Sequence, residues 1–94
     1  MPKQFRADPA EFARCVDYLC TRIATIAVRH GVDHVDCSNL EEMLAALPLQ
    51  ARPPASAMLN DVALKTESED PAMAFAARYL TQLAQNVWRV PKPP

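Results

Sequence analysis

A single glycine set against nine prolines in 94 residues is the feature that most narrows what this chain can fold into. Glycine-rich phosphate loops, type I′ hairpins and many-turned β-sandwiches need positive φ repeatedly, and glycine alone adopts it without steric cost. One glycine cannot supply them, so dinucleotide-binding and P-loop chemistry are excluded and a helical chain is expected. Half of the residues are hydrophobic, but 16 are alanine and only six are aromatic. A core of Leu, Val, Met and small side chains favours closely packed helices. The length allows one domain, spanning 1–94, with 1–7 as an arm and 90–94 as a proline-rich tail.

Asp8-Pro9-Ala10-Glu11 supplies an N-cap acceptor, a proline where no N–H is missed and a glutamate at the third helical position. It predicts a first helix over 9–30, closed by Gly31. Phe12, Val16, Leu19, Ile23, Ile26 and His30 alternate spacings of four and three along it, with Cys20 and Ala27 beside them. One apolar face therefore runs its whole length, about 33 Å at 1.5 Å per residue. Such a helix is expected to be the spine against which the rest packs.

An irregular connector leads to Ser38-Asn39-Leu40-Glu41, a capping box ahead of Met43, Leu44 and Leu47. This predicts a second helix over 38–47, ended by Pro48. Asp36 is a rival N-cap, with Val35 and Leu40 as a hydrophobic staple. Pro53 and Pro54 read as a bend or a short polyproline segment, since each removes a donor and pushes its predecessor away from the α region. A shorter helix over 54–65 follows, with Ala55, Met58, Leu59, Val62 and Ala63 on one face. Asp70-Pro71-Ala72 repeats the cap-plus-proline start and opens a last helix over 71–89.

On that last helix Met73, Ala76, Leu80, Leu83 and Val87 form a stripe, widened by Ala72, Ala77, Tyr79, Ala84 and Trp88 to about half the circumference. A face so wide meets more than one neighbour. If one short chain cannot cover it, a second copy would, which makes a homodimer the natural extension. The expected fold is all-α: a small compact bundle of four helices closed by the first and last, with the large side chains concentrated on those two.

The densest polar cluster runs from His30 through Asp33, His34 and Asp36 to Cys37. These are zinc-ligand types, but their spacing matches no standard zinc pattern and Gly31 breaks the helix that would align His30 with His34. Cys15 and Cys20 lie about 140° apart on their helix and cannot both face one ion. Cys37 near a helix start, with His34 close by, has the makings of an activated thiol, but no orienting third group is evident. No cofactor, metal or catalytic activity is therefore expected, with His30, His34 and Cys37 as the residues to watch.

Ten basic residues against eleven acidic ones give a net charge of −1, a poor balance for affinity built on neutralising many phosphates. The basic residues are nonetheless organised. Arg14, Tyr18, Arg22 and Arg29 fall within an arc of about 80° opposite the core stripe. Lys3 and Arg6 extend it. This face suits an acidic protein surface or a nucleic-acid backbone, with Tyr18 as anchor, unless Glu11–Arg14 or Arg14–Asp17 pairs make it a solvated face.

Phe75, near Gln82 and Asn86 with Arg78 and Arg89 close, marks a second surface unless it meets the third helix or the Pro53-Pro54 bend. Trp88 is either covered by the tail or flanked by a free Pro-Lys-Pro-Pro segment able to dock in an aromatic groove.

Three cysteines, an odd number, and no apolar leader or long apolar run point to a cytoplasmic chain with no membrane partner. Abundant alanine, with arginine as seven of the ten basic residues, points to a GC-rich bacterial or phage source. The function expected is a non-enzymatic protein-binding module, an accessory subunit, adaptor or small inhibitor of a larger protein or complex. A nucleic-acid-binding regulator using the arginine stripe is the competing class, although the glycine-bearing turn of a helix-turn-helix is missing.

Overall fold

The computed structural model describes residues 8–33, 35 and 38–89. Among them stand four α-helices, one 3-10 turn and no strand. The helices are α1 (Pro9–Arg29), α2 (Leu40–Ala45), α3 (Arg52–Thr66) and α4 (Pro71–Trp88), with the 3-10 turn over Leu49–Ala51 feeding directly into α3. The chain is the all-α bundle that its glycine scarcity implies.

The ends of α1 and α4 follow from local chemistry. Asp8 accepts the Ala10 amide at 3.3 Å and Asp70 accepts the Met73 amide at 3.2 Å, so each Asp-Pro start caps its own helix. At the far end of α1, Gly31 takes φ +94°. The Gly31 amide reaches the Val28 carbonyl and the Val32 amide reaches that of Ala27, both at 3.1 Å. This is the Schellman arrangement, which satisfies carbonyls that helix geometry leaves open. His30 is the C-cap and is exposed, so the buried stripe ends at Ala27, one turn earlier than the spacing suggests.

Three expectations are corrected in the middle of the chain. The cap of α2 is Asn39, whose side chain accepts the Glu42 amide at 3.1 Å, and not Ser38; the rival Asp36 lies outside the described residues. The helix is accordingly shorter, 40–45 against an expected 38–47. Pro53 and Pro54 are not a bend. They occupy the first turn of α3, and Arg52, although it precedes a proline, sits at φ −67°, ψ −46°.

A full count of that helix start explains why the prolines are tolerated. Of its four amides without intrahelical acceptors, those of Ala51 and Arg52 bond to the Pro48 and Leu49 carbonyls in the 3-10 turn. The other two positions are the prolines, which have no amide to satisfy. The 3-10 turn thus replaces the side-chain cap that α3 lacks.

Packing also rearranges the expected hierarchy. The helix touching all others is α4, most extensively α3, then α1, then α2, whereas α1 and α3 meet only sparingly. The reason lies in side-chain size. The buried face of α4 is Ala72, Ala76, Ala77, Leu80 and Ala84, so neighbours approach from several sides. The largest fully buried side chains come mainly from elsewhere: Leu19, Ile23, Met43, Leu44 and Leu59, with only Leu80 from α4. Large groups from three helices are packed against an alanine hub. Of the wide face of α4, Ala72, Ala76, Ala77, Leu80 and Ala84 are buried within one chain, Met73, Leu83, Val87 and Trp88 are partly buried, and Tyr79 stays exposed.

Candidate interaction surfaces

The described interior is uniformly apolar, and no described polar or charged residue is buried. The Cys15 and Cys20 thiols apart, the described chemistry-bearing side chains therefore lie at or near the surface. Arg14, Tyr18, Arg22 and Arg29 are all exposed on α1, Tyr18 by 49%, and the Arg22 guanidinium stands 5.9 Å from the centre of the Tyr18 ring. That is within cation–π range. Among the described residues, neither Glu11 nor Asp17 pairs with Arg14, and the ion pairs are Lys65–Asp61 at 3.3 Å and Arg78–Glu67 at 3.1 Å. Beside Tyr18 and Arg22, an open groove of about 380 Å³ runs to Asp61 and Lys65 on α3 and reaches Met73 at the start of α4.

Phe75 is exposed and packs against α1, a neighbour that the sequence reading does not name. Its ring lies 5.6 Å from that of Phe12 on α1, and Phe12 lies 5.6 Å from Tyr79 in an edge-to-face contact. Both distances fall in the favourable aromatic range. Phe75 and Tyr79 nonetheless remain 46% and 43% exposed. One neighbour of Phe75 is therefore Phe12 of α1. A spacing of four along α4 is the signal that could have joined Phe75 to Tyr79. The third ring, Phe12, reads in sequence only as the first member of a core stripe.

Trp88 is engaged inside the domain. Its indole N–H donates to the Leu44 carbonyl at 2.8 Å, across 44 positions of sequence, and the Arg52 guanidinium stands 5.4 Å from its ring centre. Arg52 Nε in turn donates to the Leu47 carbonyl at 3.2 Å. The Leu47 carbonyl, and the Leu44 carbonyl that also accepts the Leu47 amide at 3.3 Å, are thus served by side chains from α3 and α4, which also contact each other. Arg52 carries no sequence signal for this role. Arg78 meets Glu67, so one arginine beside Phe75 is spent on an exposed ion pair, while Arg89 is the exposed C-cap of α4.

His30 is exposed at the α1 C-cap, while His34 and Cys37 lie outside the described residues, as do Lys3, Arg6 and the tail. Among the described residues, no group of three or more His, Cys, Asp or Glu side chains is placed to hold a metal ion. Cys15 and Cys20 are buried in the core. Burial pushes the Cys15 thiol up, the Asp70 and Glu11 carboxylates add to the effect, and Arg14 opposes it. An apolar cleft of about 210 Å³ lies between the α1 exit and α2, lined by residues such as Val32, Met43 and Leu47, with Glu42 as its one described acid.

No described helix is long and apolar enough to cross a membrane. No protein-family model, curated protein or solved structure matches the chain.

Proposed function

We propose that this domain is a non-enzymatic protein-binding module, an accessory subunit, adaptor or small inhibitor that offers helix faces to a larger protein or complex. The observation supporting this reading is the aromatic trio of Phe12, Phe75 and Tyr79. Its rings hold one another across two helices while Phe75 and Tyr79 keep nearly half of their surface exposed. Rings restrained before contact lose little rotamer freedom on binding, and aromatic and arginine side chains dominate binding hot spots. Conventional core packing would have buried these rings.

The test is capture from the native host with tagged protein, comparing wild type with the Phe75→Ala/Tyr79→Ala double variant and identifying bound proteins by mass spectrometry. The expected result is a defined partner whose recovery falls by about tenfold or more in the variant, as hot-spot losses of about 2 kcal/mol imply. Far-UV circular dichroism should show the variant still helical. Capture unchanged in a folded variant would count against the reading, as would the absence of any partner.

A further inference from the structure

We infer that the groove between α1 and α3, together with the arginine stripe on its α1 side, seats an acidic helical segment of a partner protein. The inference rests on the protein-binding reading and supplies the partner's chemistry. Two observations carry it: α1 and α3 meet sparingly and leave an open groove, and its α1 wall is Tyr18 with Arg22 over the ring. Arg14, Arg22 and Arg29 are exposed, and none is in an ion pair among the described residues. They recur at eight and seven residues, which places them about 12 and 10.5 Å apart along the axis. A helix lying alongside with one carboxylate every seven residues presents charge at matching intervals of about 10.5 Å.

The groove itself argues for protein over nucleic acid. Asp61 and Asp70 share it with Arg22 and Lys65, so its charge is mixed, and the chain as a whole is at −1. A polyphosphate backbone carries charge at every step and meets Asp61 and Asp70 wherever it lies, whereas a helix with one carboxylate every seven residues can set it against Arg22 and place uncharged side chains beside the two aspartates. Half-buried Met73 in the same groove offers an adaptable apolar contact for a side chain of the incoming segment.

The test uses the full chain and a fluorescein-labelled, alanine-rich helical peptide of three heptads, each carrying one glutamate with a leucine beside it. Its glutamine counterpart and a short DNA duplex serve as comparisons, all read by fluorescence anisotropy across a salt titration. Saturable binding of the glutamate peptide is expected. It should weaken by about tenfold in Arg14→Gln/Arg22→Gln/Arg29→Gln, the combined size of three exposed ion pairs. It should weaken also in Tyr18→Ala and stay unchanged in Arg89→Gln.

Equal binding of the glutamine peptide, no saturable binding, or preference for the duplex with a steep salt slope would each overturn the inference. If the captured partner depends on Phe75 and Tyr79 but not on the three arginines, the binding-module reading stands and this one falls.

Discussion

At the scale of single residues, Trp88 is the side chain whose role depends most on where the chain places its neighbours. Its indole N–H serves the Leu44 carbonyl and its ring meets Arg52, so it ties α4 to the end of α2 and the start of α3. Trp88→Phe keeps an aromatic ring but deletes the donor. A loss of about 1 kcal/mol is expected, the ordinary net worth of one hydrogen bond, seen as a lower urea midpoint with unchanged slope. An unaltered midpoint would mean that the bond contributes nothing.

Cys15 carries a pH signature. With its folded pKa raised above the unfolded value, the native state keeps a proton that the unfolded chain gives up. Its contribution is therefore full below the ordinary thiol range and is lost as pH rises through the raised value. Urea midpoints measured into alkaline conditions should fall more steeply for wild type than for Cys15→Ala. Parallel slopes would remove Cys15 as the cause.

Among the elements, α1 shows how one residue sets a boundary. Gly31 sits at φ +94°, and a Cβ added there meets nothing within 4 Å. The cost of Gly31→Ala is then purely conformational, about 1 kcal/mol, with no clash to relieve. A lower denaturation midpoint checks this, and a neutral result would show that the Schellman turn tolerates a side chain. The element least readable in advance is α3. Proline is usually taken as punctuation, yet here two prolines open a helix because the preceding 3-10 turn satisfies the remaining amides. The contrast between α1 and α4 has a similar origin. Length and a continuous stripe make α1 look central, but the alanines of α4 let three partners come close at once.

For the whole molecule, the buried residues of all four α-helices, Ala74 apart, join one cluster, with Ala51 of the 3-10 turn among them. A single core should unfold as a unit. Trp88 fluorescence reports the α2–α4 contact and far-UV circular dichroism reports total helix, so their thermal transitions are expected to coincide. Separate midpoints would show that α2, only six residues long, opens independently of the rest. The same economy shapes the outside. With the interior filled by apolar groups, the described aromatic rings and arginines of α1 and α4 that stay exposed lie on the surface beside exposed Val28, Leu49 and Leu64.

The sequence by itself determined the all-α class, the two Asp-Pro helix starts, the glycine exit of α1 and the exposed arginine row. Each of these depends on residues within a turn or two of one another, where capping bonds and the 3.6-residue repeat act. Only the tertiary structure decided that Phe75 meets Phe12, that Trp88 serves Leu44, that α4 is the hub and that a groove opens beside Tyr18. Those outcomes are contacts between segments far apart in the chain, set by side-chain size and shape when the helices pack, and no local pattern encodes them.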